Sequence, residues 1–222
     1  MIVSVSAAPP VRHGPTVIFA DDHSLVAAGI SRLLEEEVDL LGTVGDGRAA
    51  VALVETHRPD IVLLDISMPL LNGLEAARQI RAISPDSKII FLTMHSDRAY
   101  VVEAFAAGAS GYLLKESAVS ELPVAIRTVL NNQLYVTPLI GDFAAEDFTP
   151  ESAPDAELSG RQREVLQLLA EGHSSKQVAA ALQVTTKTVE FHKGRIKQKL
   201  GLRSTADLVR YAYRNRIIGP DA

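Results

Sequence analysis

The chain has 222 residues, enough for one large domain or two small ones, and 47% of them are hydrophobic, enough to fill real cores. It lacks cysteine, which excludes a disulfide framework and a thiolate metal site, and no apolar run approaches the roughly 18–20 residues that span a bilayer. The net charge of −5 conceals a division: residues 155–222 carry 12 Lys and Arg against 7 Asp and Glu, and the preceding residues carry 10 against 20. An acidic front and a basic back are expected to meet different partners. The N-terminus does not resemble a signal peptide, because its weak apolar patch lacks a basic start and is broken by Pro9-Pro10. A soluble, intracellular protein without membrane contact is expected.

In chain order, residues 1–15 are rich in small residues and proline and read as a disordered leader. From 16 to 132, strand-like segments at 16–20, 40–44, 61–64, 88–93 and 111–114 alternate with helical spacing, such as Leu74, Ala77, Ile80 and Ile83. The alternation predicts an α/β domain with a doubly wound, five-stranded parallel sheet. With Ser120 as N-cap, Pro123 would fall in the first turn of the last helix, where its missing N–H costs little. Residues 133–156, with Pro138, Gly141, Pro150 and Pro154, read as a linker. Residues 157–222 are helical in pattern throughout, with helices expected at 159–171, 174–182, 186–200 and 205–216. Ser159/Gln162 and Ser174/Gln177 have capping-box spacing, Ser204/Asp207 is a similar start, and Gly201 is placed to end a helix.

Asp65 closes the apolar run Ile61-Val62-Leu63-Leu64, which reads as a strand buried on both faces. Parallel strands bring their carboxyl ends to one crevice, so Asp21, Asp22, Asp65, Thr93 and Lys115 are expected together. Adjacent carboxylates repel unless a cation lies between them, and oxygen ligands of this kind suit Mg²⁺. With the metal neutralising charge, Asp65 can act as a nucleophile toward a phosphoryl group, whose oxygens a Thr hydroxyl and a Lys ammonium then contact. Taken singly, Asp21-Asp22 fit a helix cap as well, Thr93 an ordinary strand end, and Lys115 a solvated charge. Their joint placement at four strand ends favours the chemistry. His23 and His95, without matched metal spacing, read as ordinary polar residues, although His95 and Ser67 flank the site.

Phe19-Ala20-Asp21-Asp22-His23, Leu63 to Pro69, Asn72-Gly73, Leu92-Thr93 and Gly108 to Lys115 together resemble the receiver domain of two-component response regulators. The resemblance implies a flavodoxin-like fold and phosphorylation of Asp65 by a partner histidine kinase. It implies Mg²⁺ held by Asp21, Asp22, Asp65 and the backbone carbonyl of Ser67, and a switch formed by Thr93 and the aromatic Tyr112, which could equally fill the edge of the core. Ser24 departs from the proline common at that position, which affects only the helix start.

In the basic region, 174–200 reads as helix, short turn and cationic helix, the form of a helix-turn-helix that enters the major groove. A solvated helix in an all-α bundle is the alternative that charge alone leaves open. Leu158 to Leu166, Glu171-Gly172, Lys176 to Ala179, Thr186 to His192 and Lys199-Leu200-Gly201 resemble the LuxR-type DNA-binding domain, so the whole is similar to the NarL/FixJ family. The resemblance implies a recognition helix whose contacts to double-stranded DNA come from Lys187, Thr188, Glu190, Lys193 and Arg195. Glu190 would accept from a cytosine amine or pair with a base such as Lys187. Leu208, Val209, Tyr211 and Ala212 of the last helix would support a dimer contact or the domain's own core. The expectation is a cytoplasmic bacterial regulator, not an enzyme, that dimerises on activation, with RNA polymerase as a candidate partner. Two alternatives stay open: a phosphatase of the haloacid dehalogenase type, although Ser67 stands where that class has its second Asp, and a DNA-binding protein indifferent to phosphate.

Overall fold

The computed structural model describes residues 14–34, 37–141 and 158–219. Nearly all of the expected leader and most of the expected linker lie outside the described residues. The acidic half folds around parallel strands β1 (Thr16–Ala20), β2 (Asp39–Val44), β3 (Ile61–Leu64), β4 (Lys88–Thr93), β5 (Gly111–Leu114) and β6 (Tyr135–Val136), in the order β2-β1-β3-β4-β5-β6. Helices α1 (Ser24–Leu34), α2 (Gly47–His57), α3 (Gly73–Ile83), α4 (Arg98–Ala106) and α5 (Ala118–Leu130) cover both faces. Successive strand side chains point to opposite faces. Ile18, Ala20, Val62 and Leu64 therefore pack with α2, α3 and α4, and Val17, Phe19, Ile61 and Leu63 pack with α1 and α5. Burial on both sides explains the unbroken apolar run of β3.

Two details depart from the sequence reading. The sheet has a sixth strand, since Tyr135 and Val136 pair with Gly111 and Tyr112 inside the segment read as linker; two residues are too few to carry a periodicity. The last helix of the acidic half begins at Ala118 after a 3₁₀ turn, with Ser117 and not Ser120 at its cap, so Pro123 sits inside α5. The carbonyl that loses its donor there belongs to Val119, an exposed residue. Water can serve it.

The basic half consists of α6 (Gly160–Ala170), α7 (Ser175–Ala181), α8 (Thr186–Leu200) and α9 (Thr205–Arg214). Reciprocal capping boxes form at Ser159/Gln162, Ser174/Gln177 and Ser204/Asp207, and such caps contribute about 1 kcal/mol each. Thr185 caps α8, and Gly201, at φ 65°, closes it in the left-handed conformation that glycine adopts at least cost. Val165 and Leu166 of α6, Val178 of α7, Val189 and Ile196 of α8, and Leu208 and Ala212 of α9 form the core. Leu70 of the acidic half packs against it.

The two halves touch in part through ion pairs and a hydrogen bond between α6 and the helices α2 and α3. Arg163 reaches the buried Glu75 at 2.6 Å, and Glu164 receives Arg48 at 2.8 Å and Gln79 at 2.9 Å.

Candidate functional site

The sheet order reverses between β1 and β3, and the polar groups expected from the sequence meet at their carboxyl ends. Asp65 and Asp21 are almost wholly buried, at 2% and 3% exposure. Lys115 Nζ lies 2.7 Å from Asp65 Oδ2 and 2.8 Å from Asp21 Oδ2. The Ile66 N–H donates to Asp65 Oδ1 at 2.7 Å. Burial pushes the Asp65 carboxyl above its usual range; Lys115 opposes this and Asp21 adds to it. Burial also works against the Lys115 charge, but Asp65 and Asp21 outweigh it and hold the ammonium above its ordinary pKa.

Asp22 completes the acidic set from the pocket mouth. One ligand atom from each of Asp21, Asp22, His23 and Asp65 falls within 4.8 Å of the others. Asp21 Oδ2 is buried with its charge contact to Lys115 but no aligned hydrogen-bond donor, which leaves an acceptor for a cation. The donor set, mainly carboxylate oxygen, fits a hard divalent ion. Ser67, whose backbone carbonyl was expected among the ligands, lines the same cavity.

Gly73 fixes the loop that follows Asp65. Its N–H donates to the Ile66 carbonyl at 2.9 Å, and a Cβ there would lie 2.0 Å from the Asp65 carbonyl oxygen. Only glycine permits that approach. Asn72 caps α3 through the Glu75 N–H at 2.9 Å.

Thr93 is fully buried at the end of β4, and its hydroxyl accepts from the His95 N–H at 3.3 Å. Tyr112 is fully buried beside Phe91, and its hydroxyl donates to the His95 carbonyl at 2.8 Å. The segment after β4 thus joins both expected switch residues. The two histidines read as ordinary are part of the site. His23 Nδ1 lies 2.8 Å from Asp22, and His95 Nε2 lies 2.9 Å from Ser67 Oγ. Their loop positions beside Asp22 and two residues after Thr93 were the available signal.

The cavity above Asp65, ≈ 630 Å³, has a second wall that the sequence reading missed: Gln167, Glu171 and His173 from the basic half, and the segment Arg216 to Gly219. No local pattern marks these residues, because their partners lie far away in sequence.

The expected DNA-contacting side chains share α8. Lys187, Glu190 and Arg195 are exposed, and Thr188 and Lys193 are half-buried. Arg195 lies over the exposed Phe191 ring, 5.5 Å from its centroid. Glu190 pairs not with Lys187 but with Ser175 of α7 and with Lys193, at 3.7 Å; the Ser175 hydrogen bond leads in holding its carboxyl below the usual range. On α9 the alternatives divide by residue: Leu208 and Ala212 are core, Tyr211 is packed against it, and Val209 is 37% exposed.

The family model for the response regulator receiver domain matches residues 17–127, and that for bacterial regulatory proteins of the luxR family matches 156–212. The oxygen regulatory protein NreC of Staphylococcus epidermidis is 39% identical over 91% of this chain and 98% of its own length. NreC of Staphylococcus carnosus is 36% identical with the same coverage. Among solved structures, the RcsB response regulator of Salmonella typhimurium aligns at 28% identity and TM-score 0.59 over 91% of this chain and 98% of that one. RcsB of Salmonella enterica serovar Typhimurium, bound to promoter rprA in the presence of the phosphomimetic BeF3-, aligns at 29% identity and TM-score 0.55 over 89% and 98%. With a buried acidic site on a parallel sheet, a cationic helix-turn-helix and relatives that match both halves, the chain belongs to the two-component response regulators that join a receiver to a LuxR-type DNA-binding domain and regulate transcription.

Proposed function

We propose that Asp65 accepts a phosphoryl group from a partner histidine kinase, and that its modification controls dimerisation and sequence-specific DNA binding in the cytoplasm. The observation that carries this reading is the ion-paired triad of Asp21, Asp65 and Lys115, two buried carboxylates sharing one ammonium at 2.7 and 2.8 Å. An Asp65 oxygen attacks phosphorus, the bond from phosphorus to the donor histidine nitrogen breaks, and that nitrogen keeps the electron pair. Asp21, Asp22, Asp65 and the Ser67 carbonyl would hold Mg²⁺, which when bound would neutralise charge at the carboxylates. Lys115 then exchanges carboxylate oxygen for phosphoryl oxygen. The Thr93 hydroxyl turns to another such oxygen, releasing the His95 N–H, and Tyr112 passes the movement on through the His95 carbonyl.

Lys187, Thr188, Lys193 and Arg195 contact DNA, divided between phosphates and base edges. Glu190, engaged by Ser175 and Lys193, orients that lysine unless a cytosine amine displaces it. The exposed Val209 of α9 is the place for a second copy, with half-sites about one helical turn apart. RNA polymerase is a further partner of such a DNA-bound dimer. The protein acts as a regulator, with at most self-catalysed phosphoryl transfer and loss.

The test compares wild type with Asp65→Asn in Mg²⁺ and a small phosphodonor, following oligomer size and DNA affinity. A donor-dependent gain confined to wild type is expected. Equal behaviour of both chains, with or without donor, would leave a constitutive DNA-binding protein.

A further inference from the structure

The inner face of α8 fixes its outer one. Val189 and Ile196 are buried in the core, and the helical repeat places Lys187, Phe191, Gly194 and Gln198 on the opposite ridge, where all four are exposed. Two members of that ridge are unexpected on a solvated helix. Phe191 leaves a phenyl ring 59% exposed at the middle of the ridge. The Arg195 guanidinium lies over that ring, 5.5 Å from its centroid, and the His192 ring meets it edge-on at 5.7 Å. The ring is braced, yet its outer side is bare.

Gly194 is three residues further on and so adjacent to Phe191 on the helix surface. Its backbone is ordinary helix without a positive φ, and a Cβ there would meet nothing within 4 Å. Glycine inside a helix is disfavoured relative to alanine, and nothing within the chain asks for it here. The space it leaves opens outward, beside the bare ring.

Charge decides what fills that space. Along α8, Lys187, Lys193, Arg195, Lys197 and Lys199 stand against the single carboxylate of Glu190, a surface complementary to a polyanion. In the major groove the apolar group at a base edge is the thymine 5-methyl. A methyl seated against the ring and above Gly194 would shield both from water, and a Cβ at 194 would compete for its place.

We infer that Phe191 and Gly194 together form a reader for the 5-methyl group of thymine: the ring supplies the apolar contact, and the absent side chain admits the base edge. This rests on the reading of α8 as the DNA-contacting helix and adds which base it selects. The cations hold the duplex, and the apolar pair distinguishes thymine from cytosine, which presents an amine and no methyl.

The experiment uses the full chain with Mg²⁺ and acetyl phosphate, and a duplex selected from a random pool by wild type. Each thymine of one half-site is replaced in turn by deoxyuridine, which removes the methyl and keeps every hydrogen-bonding group. Wild type is expected to lose affinity about fourfold at one such position, the ordinary worth of one buried methyl-sized group. Phe191→Ala and Gly194→Ala are expected to bind both duplexes alike at that position, and Lys187→Ala to bind both more weakly with the ratio kept. Gly194→Ala is also expected to melt about 4 °C higher by circular dichroism, so that its loss of discrimination is not a loss of fold. Wild type indifferent to every deoxyuridine would overturn the reader, and weaker binding by Lys187→Ala would then leave α8 as the DNA-contacting helix. A thymine preference kept by Phe191→Ala would place the methyl against another side chain and overturn the assignment. Melting of Gly194→Ala below wild type would make the glycine a requirement of the fold and remove it from the reader. No duplex recovered by selection, or undiminished affinity in all three variants, would overturn the reading of α8 and the reader with it.

Discussion

Lys115 and Lys193 are the same residue type, each near carboxylate, and they stand for two ways of using charge. Lys115 has 5% of its side chain exposed and lies between two carboxylates that are buried with it. Lys193 stands on a solvated helix, 3.7 Å from an exposed Glu190. In the receiver, charges from different strands are held in a low-dielectric site, where each determines the state of the others. On α8 they are set out along one face, where water and salt screen them and their effects add. The first arrangement suits a switch. The second suits graded attraction to a polyanion.

Removing each lysine tests that contrast. Lys115→Met leaves Asp21 and Asp65 buried without their counter-charge, and a loss of about 3 kcal/mol of stability at neutral pH without Mg²⁺ is expected. Urea unfolding reads this, and Mg²⁺ should restore part of it. A Lys115→Met chain as stable as wild type would mean that the site is solvated and the contrast false. Lys193→Met should change stability by no more than about 0.5 kcal/mol. It should lower the dependence of log DNA affinity on log salt by about one unit, across sequences alike; a salt slope equal to that of wild type would remove Lys193 from the phosphate contacts.

The smallest effect concerns the boundary between the two regions. Glu171 at the end of α6 is raised above the ordinary carboxylate value by burial, while Gln167, the Leu70 N–H and His173 oppose the rise. Glu171 lines the cavity between the two halves, so docking contributes to that burial, and the docked form is expected to hold its proton more tightly than the undocked form. Protonation favours docking, so this contribution is fully present below the undocked value, about 4.3, and is lost as pH rises through the raised one. Energy transfer between dyes on the two halves should fall across that window in wild type and stay level in Glu171→Gln. A persistent fall in Glu171→Gln would assign the titration to another group.

Much of this molecule follows from local pattern. The strands at 16–20, 61–64, 88–93 and 111–114 agree with those observed, because burial on both faces leaves runs of apolar residues that polar strand ends interrupt. Ser159/Gln162 and Ser174/Gln177 are legible because a capping box satisfies backbone donors within four residues of chain. Gly73 was visible as part of a motif, but its necessity became plain only from the 2.0 Å approach to the Asp65 carbonyl. Pro123 misled because its first-turn reading assumed a later cap than the one that formed.

The sequence by itself determined the two domain types, the convergence of Asp21, Asp65, Thr93 and Lys115, and the cationic helix, since each depends on periodicity, strand ends or short-range hydrogen bonds. Only the tertiary structure decided that Gln167 meets Asn72 across 95 residues, that Arg216 meets Asp97 across 119, and that Asn72 meets Ile217 across 145. Such contacts arise from the fit of two finished surfaces. A glutamine on a helix and an arginine after one carry no mark of the partner they will find until both domains have folded.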